Sequence, residues 1–164
     1  MANKLSNRKA MKRHKRIGLV AHDNRKADLI EWIEWNWVEL INHELICTGT
    51  TGQLVEEALI VKVPIDKITS LKIKKLKSGP LGGDQQLGAM IAEGKIDLLI
   101  FLWDPMQPQP HDVDVKALLR IAVLYNIPTA NNRSTADFII SSSLMLKEYQ
   151  PIVKDYSEYI KRIL

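Results

Sequence analysis

Short, wholly apolar runs alternate along this chain with longer segments whose apolar residues recur every three or four positions. Residues 17–21 (IGLVA) form a run of the first kind and read as a buried strand. Residues 25–41 follow with Leu29, Ile30, Ile33, Trp37, Leu40 and Ile41 at helical spacing. A second strand is expected over 44–48 and a short helix over 53–59. The lysine-rich stretch 62–76 leads into a third strand near 72–77. Residues 84–93 read as a helix closed by Gly94. Residues 97–103 read as a strand, apolar from Leu98 to Trp103 as a strand covered on both faces should be. A proline-rich loop over 104–112, a helix over 112–125 and a strand over 127–130 come next. A helix over 135–141, opened by Ser134 or Thr135, follows. A short strand near 152–154 and a helix from 156 complete the order. Strand and helix in alternation predict an α/β fold: a doubly wound, mainly parallel sheet with helices on both faces.

The polar residues fall into register with this order. His22-Asp23 follows the first expected strand, Thr48 to Gly52 the second and Ser78-Gly79 the third. Asp104 follows the fourth and Asn131 to Arg133 the fifth. In an open parallel sheet all these positions lie beyond the carboxyl ends of the strands, where ligands bind.

Composition changes this picture in three places. At 164 residues the chain is long enough for one domain with a real core. Its single cysteine, Cys47, excludes an internal disulfide and a cysteine-rich zinc site. The net charge of +4 is unevenly placed: residues 1–16 carry seven basic side chains and no acidic one, and without those seven the rest carries −3. Residues 1–15 therefore read as a basic, solvating tail and residues 16–164 as a single domain. No basic stripe with interleaved aromatics follows, so the body is not expected to bind nucleic acid. No apolar run is long enough to cross a bilayer, and no secretory signal opens the chain, so a cytoplasmic location is expected.

Four clusters could carry chemistry. Thr48, Gly49, Thr50, Thr51 and Gly52 offer hydroxyls, glycines and a helix start, the ingredients of a phosphate cradle; a plain threonine cap is the alternative. His22, Asp23 and Lys26 stand at the first strand end. Lys26 sits in a helical first turn, where a cation opposes the macrodipole, so either an anion or solvent faces it. Asp84 follows Ser78, Gly79, Gly82 and Gly83. It is either a helix-favouring carboxylate or a base that removes a proton from a molecule held by its phosphate. His111, Asp112 and Asp114 end the proline-rich loop, where the histidine could polarise a carbonyl or simply be exposed beside capping aspartates. Neither a Walker loop nor a GxGxxG fingerprint is present.

Together these segments resemble the methylglyoxal synthase family. The resemblance rests on residues 17–23, Thr48 to Gly52, the run SGPLGGDQQ from Ser78 to Gln86, residues 97–105, the run PHDxD from Pro110 to Asp114, and residues 126–128 and 135–139. It implies a three-layer fold of the Rossmann type and the conversion of dihydroxyacetone phosphate to methylglyoxal and inorganic phosphate without a cofactor or metal. It implies that Asp84 removes the proton and that His111 stabilises the enediolate. Asp23 and Asp114 would belong to the carboxylate set around the site, supporting His111 and its neighbours. His22, Lys26, Thr48, Gly49, Thr50, Thr51, Ser78 and Gly79 would hold the substrate. A cytoplasmic homohexamer inhibited allosterically by phosphate is also implied. The basic tail, the stretch 61–77 and Lys77 beside Ser78 depart from the family pattern, and Arg162 stands one residue out of step with a phosphate-facing arginine. The same fold resembles the allosteric domain of large carbamoyl phosphate synthetases, so a non-catalytic effector-binding module is the rival reading.

Overall fold

In a computed structural model of the chain, residues 9–161 are described; residues 1–8 of the basic tail and Arg162 lie outside them. Five parallel strands form one sheet in the order β3-β2-β1-β4-β5. They are β1 (Arg16–Ala21), β2 (Glu44–Cys47), β3 (Lys72–Lys75), β4 (Leu98–Leu102) and β5 (Thr129–Ala130). The helices are α1 (Lys26–Trp35), α2 (Trp37–Leu40), α3 (Gly49–Lys62), α4 (Gly83–Ala92), α5 (Asp112–Leu124), α6 (Arg133–Ile140) and α7 (Ser157–Lys161).

Period-two alternation along the strands divides the core into two layers. Leu98, Ile100 and Leu102 of β4 face Leu29, Trp32 and Ile33 of α1, Val55 and Leu59 of α3 and Ala136 of α6. Leu99 and Phe101 face Leu87 and Ile91 of α4 and Val115, Leu118 and Ala122 of α5. All five residues of β4 are buried, which explains why its sequence reads as a continuous apolar run. β3 is the opposite case. Its KIKK sequence lies at the sheet edge with its lysines exposed, a composition that discourages edge-to-edge pairing.

The structure departs from the expected elements in several places, each for a local reason. The helix expected over 25–41 divides at Asn36, whose side-chain amide donates to the Trp32 carbonyl at 2.8 Å and competes with the helical ladder. The short helix expected over 53–59 runs from Gly49 to Lys62. It stops before Pro64, with Val63 in the extended conformation that a following proline favours. The cap of α6 is Asn132, not Ser134 or Thr135; its side-chain oxygen accepts from the Thr135 N–H at 2.9 Å. The strand expected near 152–154 does not form, and the extended backbone there pairs earlier, in an antiparallel bridge between Met11 and Tyr149.

That bridge corrects the extent of the tail. Met11 is 2 % exposed, and its N–H and C=O both pair with Tyr149. Lys15 is also buried, its ammonium donating to the Lys12 and Lys147 carbonyls. Residues 9–15 are thus placed against the body. Truncating a buried methionine to alanine removes packing that cannot fully collapse, so Met11→Ala is expected to lower the unfolding free energy by about 2–3 kcal/mol. Urea titration checks this, and an unchanged midpoint would place Met11 outside the core.

Candidate active site

Strand order reverses direction between β1 and β4, so the loops after these two strands diverge and leave a crevice at their carboxyl ends. A cavity of about 210 Å³ lies there, below the roughly 300–1,000 Å³ usual for drug-sized ligands and suited to a smaller molecule. It is lined by His22, Asp23, Lys26, Thr48, Gly49, Thr50, Thr51, Ser78, Gly79, Asp84 and His111, together with Val20, Ala21, Pro80 and Gln109. Of the residues to which the family resemblance gives a role in the site, Asp114 alone does not line it. Asp114 lies in the first turn of α5 and acts on the site through its charge, which helps raise the Asp84 pKa.

One side of the cavity is built to receive an anion. Thr48 precedes α3 but its side chain makes no capping bond, so its hydroxyl remains available. The first-turn amides of α3 have no acceptor within the helix, and the macrodipole makes this end positive. Gly49 adopts φ +40°, and a side chain there would meet the Ser78 backbone at 2.6 Å; glycine lets the Thr48–Gly52 and Ser78–Gly79 turns touch. Lys26 is the one cation lining the cavity among the described residues. Its ammonium donates to the Asp23 carboxylate at 2.6 Å and to the Thr50 hydroxyl at 2.5 Å. Asp23 is therefore paired with Lys26, and this hydrogen bond holds the Asp23 carboxyl below the usual carboxylate range.

The other side holds the acid–base groups. Asp84 lies in the first turn of α4, yet its carboxylate does not cap the helix. It is 2 % exposed, and neither oxygen has a hydrogen-bond partner among the described residues. Burial pushes its pKa up, and Asp114 adds to that, while His111 pulls it back. His111 Nε2 stands 3.6 Å from Asp84 Oδ2, too far for a hydrogen bond, and its Nδ1 is buried without a partner. Its side chain is only 10 % exposed, which removes the solvent-facing alternative. Gly79 separates nothing: a Cβ there would lie 2.9 Å from His111 Nε2 and 3.1 Å from Asp84 Oδ2.

His22 completes the group. Its Nδ1 accepts the Asp104 N–H at 3.2 Å, so in the neutral ring the proton belongs to Nε2. Nε2 is buried and unpartnered. Burial lowers the pKa of His22, and the nearby His111 lowers it further, so the ring is neutral at pH 7 and offers an N–H donor.

A family model described as "MGS-like domain" matches residues 35–131. A methylglyoxal synthase from Maridesulfovibrio salexigens is 58 % identical over 157 residues, covering 94 % of this chain and all of that protein. One from Oleidesulfovibrio alaskensis is 57 % identical over 153 residues, covering 93 % and 98 %. The chain belongs to the methylglyoxal synthase family. A crystal structure of methylglyoxal synthase from Elizabethkingia anophelis superimposes with a TM-score of 0.82 at 49 % identity, covering 94 % of this chain and 95 % of that one. The relatives matched over nearly their full length are methylglyoxal synthases, which favours the catalytic reading over the effector-binding module.

Sequence reasoning gave no role in the chemistry to Asp104, placed only among the polar residues after the strands, or to Gln109, and both shape this methylglyoxal synthase-like site. Asp104 supplies the N–H that sets the His22 tautomer, and its carboxylate accepts from Met106 N–H and from Asn24 Nδ2, both at 2.9 Å. Those bonds hold the Asp104 carboxyl below its ordinary pKa. Gln109 enters the cavity wall from the proline-rich loop. The position of Asp104 after β4 was the available signal; nothing local marked Asn24 or Gln109.

The lone carboxylate has a stability consequence. A buried carboxyl with a raised folded pKa costs stability as pH climbs from its ordinary value near 4 through the raised one, and the full cost remains above that. Asp84→Asn removes the ionisation, so the variant is expected to melt above the parent at pH 7. The gap should close as pH falls toward about 4. Calorimetric scans across this range check it, and a variant that melts lower at neutral pH would contradict the burial argument.

Proposed function

We infer that this chain is a carbon–oxygen lyase that converts dihydroxyacetone phosphate to methylglyoxal and inorganic phosphate. The observation that carries the reading is the buried, unpartnered Asp84 carboxylate beside a phosphate-type cradle in one cavity, in a chain whose full-length relatives are methylglyoxal synthases.

In the proposed reaction the substrate phosphate sits among Lys26, the Thr48–Thr51 turn and the Ser78–Gly79 turn. That leaves the carbonyl and hydroxymethyl carbons toward Asp84, His22 and His111. Asp84 takes a proton from the hydroxymethyl carbon, and the negative charge moves onto the carbonyl oxygen. Neutral His22, through Nε2–H, and His111 meet that oxygen with fixed donors in a dry site. His111 passes the proton of the terminal hydroxyl to the former carbonyl oxygen, so that the charge moves to the terminal oxygen. That oxygen forms the aldehyde C=O, the double bond shifts toward the phosphate-bearing carbon, and its C–O bond breaks to release phosphate. The resulting enol takes up a proton at its methylene carbon to become methylglyoxal. Elimination requires the C–O bond to stand parallel to the π system, so the cradle must hold the phosphate out of the enediolate plane. An isomerase would hold it within the plane.

The full assembly follows the family resemblance: a cytoplasmic homohexamer, with inorganic phosphate as inhibitor. Trp35, Val61, Ile65 and Phe138 are large exposed apolar side chains that a neighbouring copy would cover. No helix among the described residues is long and apolar enough to cross a membrane.

Incubation with dihydroxyacetone phosphate is expected to release methylglyoxal and phosphate in equal amounts; glyceraldehyde 3-phosphate as main product would indicate isomerase chemistry instead. Asp84→Asn should lower kcat by about a thousandfold or more while an analogue such as phosphoglycolate still binds. The acid limb of kcat/KM reports the free-enzyme base, and burial raises the Asp84 pKa. That limb should therefore lie above the ordinary carboxylate value of about 3.9. A limb at or below that value would point to an exposed base.

A further inference from the structure

The run GGDQQ contributes Asp84 to the chemistry, but Gln86, two residues on, is left without a role. Gln86 Oε1 accepts the Lys77 N–H at 2.9 Å. The peptide that owns this N–H has the Leu76 carbonyl at its other end, and that carbonyl accepts from Gly49 N–H at 3.2 Å. One peptide unit is therefore held from both sides, by the helix that bears the base and by the Thr48–Gly52 turn. The next carbonyl, Lys77 O, also accepts from Gly49 N–H, at 3.0 Å. Because a trans peptide points its N–H opposite its C=O, the Ser78 N–H is directed away from Gly49. A second tie runs from α4 to the same turn: Gly83 N–H donates to Ser78 O at 2.8 Å, and Gly83 lies so close against Lys77 O that no Cβ fits.

We propose that Gln86 is a positioning residue that sets the Ser78–Gly79 anion-binding turn through its bond to the Lys77 N–H. The proposal rests on the reading that this turn grips the substrate phosphate. Gln86 itself does not line the cavity, so its influence passes through the backbone it holds. A turn that loosens weakens the grip on phosphate equally in the ground state and the transition state, which changes KM and leaves kcat in place. The bond is on the exposed side of α4, so the effect is that of one ordinary hydrogen bond, about fivefold.

The test compares Gln86→Met, which keeps the length and loses the acceptor, with Gln86→Glu, which keeps an acceptor, and with Ser78→Ala as control. Gln86→Met is expected to raise KM for dihydroxyacetone phosphate and the competitive inhibition constant of 2-phosphoglycolate together, each about fivefold, with kcat within twofold. Its Lys77 amide should exchange with deuterium faster than in the parent, and Gln86→Glu should restore the slower exchange. Faster exchange with unchanged KM and inhibition constant would overturn the proposal, as would a fall in kcat at constant KM. If Ser78→Ala also leaves KM unchanged, the phosphate-turn reading itself fails. If Ser78→Ala raises KM and Gln86→Met does not, only the role of Gln86 is lost.

Discussion

The site depends on keeping one carboxylate dry and without hydrogen-bond donors. Ionised carboxylates are stabilised by water or by N–H groups, and Asp84 is 2 % exposed with no protein donor on either oxygen among the described residues. A helix start would normally satisfy such a residue through its own first-turn amides. Here one of those amides, Gly83 N–H, is turned onto the Ser78 carbonyl, and the glycines at 79 and 83 bring the preceding turn against the helix. Backbone that could have solvated the carboxylate is spent on holding the Ser78 turn. What remains is a base whose free energy is high in the empty site and falls when it takes a proton.

The sheet topology gives that base its neighbours. Only at the reversal between β1 and β4 do the loops after two adjacent strands part, and these loops supply His22 and Asp104. The backbone N–H of one fixes the ring tautomer of the other. The result divides the cavity by charge. Lys26, hydroxyls and helix amides stand where an anion would rest, while a neutral imidazole donor and His111 stand where charge would develop on carbon-bound oxygen. A protonated His22 would attract the phosphate into the wrong half; burial, which lowers its pKa, guards against that.

Much of this was legible in the sequence because the signals were local or periodic. The continuous apolar run of β4, the helical spacing of α5 and the polar residues after each strand all follow from elements read one at a time. Features that depend on distant partners were not legible. Met11 and Lys15 look like part of a charged arm until Tyr149 and Lys147, more than 130 residues away, close over them. Asn36 ends a helix through a side-chain bond that its neighbours' hydrophobic pattern does not foreshadow. The i,i+3 ion pair of Asp23 with Lys26 was not singled out either, although both residues were placed in one cluster. Asn24, which ties the loops after β1 and β4 through Asp104, has no signature short of the structure.

The cradle serves more than anchoring in the proposed reaction, because the group it holds is also the leaving group. As the C–O bond breaks, negative charge accumulates on the departing phosphate, and Lys26 with the amides of the Thr48–Thr51 turn stands ready to meet it, while the Ser78–Gly79 turn grips ester and product alike. A cradle with one lysine, already shared with Asp23, and otherwise neutral donors favours that change without fixing the product as tightly as a cluster of cations would. The same donors must also accept inorganic phosphate from solution, so competition by the product follows from the chemistry of release. The geometry of the turns, more than their net charge, then decides how the site treats a phosphate ester and a phosphate ion.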